Sequence, residues 1–392
     1  MLMTNQQSAE LTEPGIGSLH DPSAFVAPHL ASVFIASPFV VLALGRNQLD
    51  GPFLQPLAQR VTKGESQMER RKLGSDGPEV PVICLGGNVY GWTLPEAESF
   101  RQLDAALAAG LNFVDTADVY SRWAPGNHGG ESETILGRWF VRTGKRKDVI
   151  LATKVGMEIG TGKKGLKAAY IRQAVEDSLQ RLQTDYIDLY LAHKDDPETP
   201  LEETLGAFDE LVKQGKVRYV GASNYCGSRL AEALETSKKH GLASYVSLQP
   251  HYNLVERSAY ETDLLPVVLK YHLGTTPYFS LAAGFLTGKY RSQQDTAKAA
   301  RGAMVQKYLN QWGFGVVAAL DEVANAHGST PARVALAWLL AQPGITAPIA
   351  SATNEKQLAD LAEAMELKLD AESIKKLNAA SARKSEAEAV AG

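Results

Sequence analysis

The chain of 392 residues is 44% hydrophobic and 21% charged, with 34 glycines, 18 prolines and two cysteines, the composition of an ordinary globular protein. A formal net charge of −4 and an isoelectric point near 6.1 give no electrostatic ground for nucleic acid or an anionic membrane as partner. Cys84 and Cys226 stand far apart, each without a second cysteine nearby to form a CxxC clamp, a zinc knuckle or a disulfide framework; they read as two buried thiols in a reducing cytoplasm.

Residues 1–67 carry no sustained helical or strand period, and Pro14, Pro22, Pro28, Pro38, Pro52 and Pro56 recur through them. Their most apolar stretch, 24–44, is long enough by residue count to cross a bilayer, but Pro28, His29 and Pro38 interrupt it. No Lys or Arg precedes that stretch, whereas Glu10, Glu13 and Asp21 do, which is not the pattern of a secretory signal. The expectation is a poorly ordered N-terminal extension, with Met68 as a candidate true start and 68–392 as the folded domain.

From Met68 onward the pattern is regular. Residues 69–85 predict two short strands around Ser75-Asp76-Gly77, the second running on into a further strand. Apolar β-branched runs then alternate with amphipathic stretches. Strand 82–85 precedes helix 96–109, 112–116 precedes 131–141, 149–155 precedes 166–182, and 187–193 precedes 201–214. The series continues with 217–223 and 229–240, 245–250 and 263–272, 275–280 and a longer helical region, and finally 345–350 and 355–365. Gly110, Gly215, Gly241 and Gly274 fall just past the apolar faces, where helices end. Eight strand–helix units with apolar strands imply a parallel sheet buried on both faces. Closed on itself, that sheet is an α/β fold of the (β/α)8 TIM-barrel type, here with an N-terminal β-hairpin cap. A doubly wound open sheet is the rival, but in place of its usual Gly-rich first turn the chain reads Gly86-Gly87-Asn88-Val89-Tyr90.

Two motif matches carry nothing. Gly313-Phe314-Gly315-Val316-Val317-Ala318 fits GxGxxA by letter without a preceding strand, and Gly160-Thr161-Gly162-Lys163-Lys164 lacks the spacing and hydroxyl of a phosphate loop. There is no HExxH, GxSxG or EF-hand loop, so no metal site is expected.

In a barrel the chemistry sits at the C-terminal ends of the strands, and three successive predicted strands deliver Asp115, Tyr120, Lys154 and His193 to one rim. Together these residues make an apparatus for moving a proton. An ammonium beside a phenol favours phenolate and so lowers its pKa, an aspartate keeps the lysine charged and fixed, and a histidine orients a carbonyl by hydrogen bonding. A lysine at a strand end also allows a Schiff-base lyase, which needs a desolvated amine of depressed pKa.

At these residues the sequence resembles the aldo-keto reductase superfamily, in its bacterial branch with an extended segment after the seventh strand. The resemblance is carried by Asp115-Thr116-Ala117-Asp118-Val119-Tyr120 with Gly130-Glu131-Ser132-Glu133 and Leu136-Gly137, and by 185–193, 221–225, 249–253 and 278–290. It implies Tyr120 as general acid and base, Lys154 tuning it, Asp115 holding Lys154, and His193 orienting the substrate carbonyl. It also implies an extended nicotinamide cofactor. Ser223, Asn224 and Gln249 would bond the carboxamide, and Tyr278, with Phe279 beside it, would stack on the nicotinamide. Leu281, Gly288 and Lys289 would lie along the pyrophosphate. Gly87, Asn88 and Asp115 complete the contacts, with Ser351, Thr353 and Gln357 at the adenosine end.

The neutral character of Ser351, Thr353 and Gln357, with Lys356 the one cation near them in sequence, bears on cofactor choice. A helix starting after Asn354 still suits a phosphate, so NADPH is expected, with NADH as the alternative. The implied substrate is a small-molecule aldehyde, ketone or secondary alcohol. Tyr90, Trp92, Trp123 and Trp312 are expected to overhang the rim and favour apolar or ring-containing carbonyls. Some members of the superfamily serve instead as cofactor-sensing auxiliary subunits of ion channels. The sequence gives no oligomeric state.

Overall fold

A computed structural model describes residues 68–296 and 300–382; the expected N-terminal extension and its apolar stretch 24–44 lie outside the described residues. β1 (Arg70–Lys72) and β2 (Glu79–Pro81) pair antiparallel as a hairpin whose loop is closed by the amide of Leu73 donating to Pro78 O at 2.9 Å. The second strand does not run on as the sequence suggested. It stops at Pro81, and the next strand, β3 (Cys84–Gly86), belongs to a different sheet.

That sheet continues through β4 (Phe113–Asp115), β5 (Ile150–Val155), β6 (Ile187–Ala192), β7 (Val217–Ser223), β8 (Tyr245–Gln249), β9 (Gly274–Thr275) and β10 (Ile349–Ala350). All of its pairings are parallel, and the strands follow chain order except that β10 returns to lie beside β3. The seam between β9 and β10 is closed by the amide of Thr346 donating to Thr275 O and that of Ile349 to Pro277 O, both at 2.9 Å. An eight-stranded parallel sheet bonded along both edges is a (β/α)8 barrel, and an open sheet is excluded.

The last two strands are shorter than their apolar runs. Pro277 and Pro348 have no N–H to give the ladder, so they serve only as acceptors, Pro277 from Ile349 and Pro348 from Cys84.

Gly110, Gly215 and Gly241 end helices with φ of 73°, 74° and 63°, the left-handed cap their positions implied. Gly274 does not: the helix Leu265–Lys270 is followed by left-handed His272 (φ 54°), and Gly274 opens β9. Its glycine is required by the hairpin, because a Cβ there would lie 2.6 Å from Gly74 N and 2.7 Å from Leu73 C. That helix is also entered earlier than its apolar pattern suggests, through a π-helical turn at Tyr260–Leu264.

After β9 come the helices Gln311–Ala326 and Pro331–Leu340, capped by the side chains of Asn310 and Thr330. The GxGxxA match lies inside the first of them, away from any strand–turn context. A final helix, Ala371–Ser381, was not anticipated as a separate element. It is fastened to the barrel by Trp338 Nε1 donating to Asn378 Oδ1 and Arg257 Nη1 donating to Ser381 Oγ, both at 2.8 Å. Of the two thiols expected to be buried, Cys84 is, in β3, but Cys226 is exposed at the N-cap of the helix Gly227–His240.

The Leu136-Gly137 pair shows how closely the outer helices pack. A Cβ on Gly137, in the helix Glu131–Thr143, would sit 2.1 Å from Arg181 O and 2.7 Å from Leu182 C, main-chain atoms at the end of the next helix, Ala168–Leu182. Backbone cannot swing aside as a flexible side chain does. Gly137→Ala is expected to cost about 1–3 kcal/mol of stability, read as a lower urea midpoint with an unchanged slope.

Candidate active site

The strands end on one rim, and a cavity of about 890 Å³ opens there. Asp115 is the last residue of β4, Lys154 lies in β5, His193 follows β6, and Ser223 and Gln249 close β7 and β8. Lys154 is fully buried beneath the cavity floor, where its ammonium meets three acceptors: Asp115 Oδ1 at 2.6 Å, Thr116 O at 2.7 Å and Tyr120 Oη at 2.9 Å. The Tyr120 hydroxyl donates in turn to Asp115 Oδ2 at 2.8 Å, and Gln249 Nε2 donates to Asp115 Oδ1 at 2.9 Å.

These contacts set the direction of each proton equilibrium. Burial, followed by the Asp115 carboxylate, holds the Tyr120 phenol well above its ordinary value. The expected lowering by Lys154 is thus not the net effect, because burial outweighs it and Asp115 faces the same hydroxyl. Burial lowers Lys154, opposed by Asp115. Burial and then Lys154 hold His193 well below the ordinary imidazole value, and its Nδ1 has no hydrogen-bond partner among the described residues. The ring is therefore neutral. It stands 6.1 Å from the Tyr120 ring, at 70° to it.

Beside this cluster a second network links the next strands. Asn224, left-handed at φ 55°, donates through Nδ2 to His193 O at 2.8 Å and to Ser223 Oγ at 3.0 Å, and its Oδ1 accepts from Tyr278 Oη at 2.8 Å. Ser223 Oγ donates to Gln249 O at 2.9 Å. Tyr278 lines the cavity and stacks on His251, ring centroids 5.2 Å apart and planes at 15°. Phe279 and Leu281 follow along the wall, then Lys289. Opposite them Ser351 donates to Asn88 Oδ1 at 2.7 Å, and Gln357 Oε1 accepts from both the amide and the hydroxyl of Thr353.

All these residues except Thr116, Lys154 and His251 line the cavity, and Lys356 lines it as well. Two of the expected cofactor residues do not line it. Gly87 lies behind Asp115, its amide donating to Asp115 O at 2.7 Å, and Gly288 faces the Arg291 guanidinium. Of the four aromatics expected at the rim, Trp123 is 48% exposed and lines the cavity, with Trp92 edge-on to it at 5.6 Å. Tyr90 is instead fully buried in the core, and Trp312 packs against the core from the helix Gln311–Ala326. Sequence reasoning missed Met157, Tyr290 and Arg301 on the cavity wall; Met157 lies two residues past the end of β5, whereas Tyr290 and Arg301 sit in stretches with no strand end to flag them.

Residues 82–382 match the model of the aldo/keto reductase family. The uncharacterized oxidoreductase YrpG of Bacillus subtilis is 38% identical over 319 residues, 79% of this chain and 95% of its own length. The NADP(+) aldo-keto reductase yakc of Schizosaccharomyces pombe is 33% identical over 79% of this chain and 90% of its own length. From the same yeast, a protein whose name places it among voltage-gated potassium channel β subunits is 32% identical, covering 79% and 92%. The chain belongs to the aldo/keto reductase family, and that membership supports an oxidoreductase working with a nicotinamide cofactor on small carbonyl compounds.

The buried imidazole makes stability depend on pH. Below 6.5, the ordinary value, unfolded chain protonates residue 193 and folded chain does not. Unfolding then takes up a proton, so stability falls as pH drops. In urea titrations between pH 7 and 5, His193→Gln is expected to lose a slope that approaches about 1.4 kcal/mol per pH unit.

Proposed function

We propose that the protein interconverts an aldehyde or ketone with its alcohol, Tyr120 giving the proton to the carbonyl oxygen in reduction and taking it back in oxidation. A nicotinamide, when bound, supplies the hydride to the carbonyl carbon or receives it. The observation that carries this reading is the buried Asp115–Lys154–Tyr120 cluster at the cavity wall, with the His193 ring beside it.

The phenol remains protonated at neutral pH, as a proton donor must. Its hydrogen points at Asp115 in the free protein, and rotation about the C–O bond turns it to a substrate oxygen. Lys154, already donating to the same oxygen, stabilises the phenolate left behind, and Asp115 keeps that ammonium in place. Neutral His193 orients the carbonyl by donating one hydrogen bond.

The residues present suit a nicotinamide. Tyr278 has one ring face covered by His251, which leaves the other for a planar ring. The Gln249 amide donates to Asp115, while its oxygen takes no hydrogen bond from a described residue and is free for a carboxamide N–H. Ser223 and Asn224 stand beside it. At the other end Lys289 and Lys356 have no carboxylate within ion-pair distance among the described residues, and with Ser351, Thr353 and Gln357 they support NADPH over NADH. The unpaired thiols support a reducing, cytoplasmic setting, and among the described residues no helix is long and apolar enough to cross a membrane.

Burial does lower Lys154, as a Schiff-base lysine requires, but the placement of its amine disfavours the lyase reading. Its three ammonium hydrogens are all engaged and it lies beneath the cavity surface, so no lone pair faces a substrate. A cofactor-sensing auxiliary role rests on the name of the yeast channel-subunit relative.

Tyr120→Phe is expected to reduce turnover by about a hundredfold or more while NADPH still binds, measured as steady-state rate against fluorescence titration. Full activity in that variant would overturn the mechanism. Lys356→Ala is expected to raise KM for NADPH more than for NADH; an equal effect on both would remove Lys356 from the phosphate site.

A further inference from the structure

His251 has no part in the proton transfer, yet it backs the aromatic ring suited to the nicotinamide. It lies just past β8, where a parallel bridge joins it to Tyr278 and the Tyr278 amide donates to Pro250 O at 2.9 Å. Its ring lies nearly parallel to that of Tyr278, 5.2 Å away with 15° between the planes, and Phe279 meets it edge-on at 5.6 Å. The far end of Tyr278 is pinned by its hydroxyl to Asn224 Oδ1. Tyr278 is therefore a fixed plate between the cavity and an imidazole, and a charge on that imidazole acts straight through it.

The imidazole can carry such a charge. It is only half-buried and does not line the cavity, so solvent protons reach it whether or not the cavity is filled. Burial draws it below the ordinary imidazole value of 6.5; Glu256, in the turn that follows, favours the charged ring, and Lys307, from the short helix Gln306–Tyr308, opposes it. Lys307 and Tyr308 both bond the same Glu256 oxygen, at 2.5 and 2.9 Å, and so hold that carboxylate in place. Asn253 Nδ2 stands 3.5 Å from His251 Nε2. The ring is thus neutral at pH 7 and becomes an imidazolium in weakly acidic solution. The Tyr278 phenol, raised by burial, stays neutral over that range, and His193, held far lower, does not titrate in it.

The two oxidation states of a nicotinamide differ in ring charge, the oxidised ring being a cation and the reduced ring neutral. We infer that His251 is a positioning residue whose protonation sets the redox preference of the cofactor site: neutral, it backs Tyr278 for either form, and charged, it repels the oxidised ring while leaving the reduced one bound. Mild acid then fills the site with reduced cofactor and biases it toward carbonyl reduction. This inference rests on the nicotinamide binding proposed above and adds a regulation to that site.

The test measures dissociation constants of NADP+ and NADPH between about pH 8 and about pH 5.5, read by quenching of protein fluorescence. The 2′-phosphate titrates in both forms and cancels in their ratio. In the wild type the ratio of the NADP+ constant to the NADPH constant is expected to rise by about three- to tenfold toward acid. His251→Phe, which keeps a ring behind Tyr278, is expected to hold that ratio constant. Glu256→Gln, which removes the carboxylate favouring the imidazolium, is expected to move the rise to lower pH, and it decides the matter if His251→Phe does not fold. A flat wild-type ratio overturns the inference and leaves the nicotinamide reading standing. A rise that His251→Phe retains, or, where that variant does not fold, one that Glu256→Gln leaves in place, also overturns it, because the titrating group then lies elsewhere. The same ratio is taken with NAD+ and NADH if the phosphorylated forms do not bind. Should none of the four bind, the nicotinamide reading itself fails, and this inference with it.

Discussion

The buried ion pair between Lys154 and Asp115 is the interaction on which the rest of the site depends. Its atoms stand 2.6 Å apart with side-chain exposures of 0% and 1%, so neither charge is tolerable without the other. Burying an isolated charge costs several kcal/mol, and removing one partner of such a pair typically costs about 3–5 kcal/mol. The pair is held because its remaining valences are filled. Asp115 takes hydrogen bonds from Tyr120 and Gln249, and Lys154 gives them to Thr116 O and Tyr120. Asp115 belongs to β4, Lys154 to β5 and Gln249 to β8, so one electrostatic knot joins strands from opposite parts of the barrel and places the phenol at its surface.

The same economy governs the neighbouring amides. Asn224 is committed to His193 O, Ser223 and Tyr278, and Gln249 to Asp115, so each presents only what is left to a ligand. Such groups are oriented before anything binds and need no reorganisation when it does. The adjoining wall is held under strain. Phe279, Ala282 and Ala283 all have positive φ, of 52°, 48° and 57°, which for residues with a Cβ costs on the order of 1 kcal/mol or more each. Asn253 Nδ2 donating to Phe279 O at 2.8 Å is one of the bonds that hold the first of them there.

What could be read in the sequence, and what could not, follows from how each signal is encoded. The barrel was legible because parallel strands buried on both faces must be written as continuous apolar runs, each followed by a helix. Asp115, Lys154 and His193 stood out as polar residues at the ends of such runs. Strand lengths were less legible, because Pro277 and Pro348 leave the apolar pattern intact while removing the donors that would extend the ladder. Gly274 was misread since a glycine after a helix and a glycine under a hairpin look alike in one dimension; only the approach of Gly74 separates them. The net rise of the Tyr120 pKa was hidden for a related reason. Spacing brought the ammonium to the phenol but showed neither the burial that contributes most to the rise nor the carboxylate oxygen that faces the hydroxyl.

Charge gives the sharpest contrast between chain and site. A formal charge of −4 describes a protein with no electrostatic appetite for anions. The cavity inverts this. Its two acidic residues are spoken for, Asp115 by Lys154 beneath it and Asp360 by Arg333. Its three cations, Lys289, Lys356 and Arg301, have no carboxylate partner among the described residues. Acidic side chains spread over the exterior leave the field inside a low-dielectric cleft to the few charges that line it, and here those charges are positive. A whole-chain sum bears on partners that meet the whole surface, and here it gives no electrostatic ground to expect nucleic acid. It carries no information about a small anionic ligand that enters a cavity where the sum has the opposite sign.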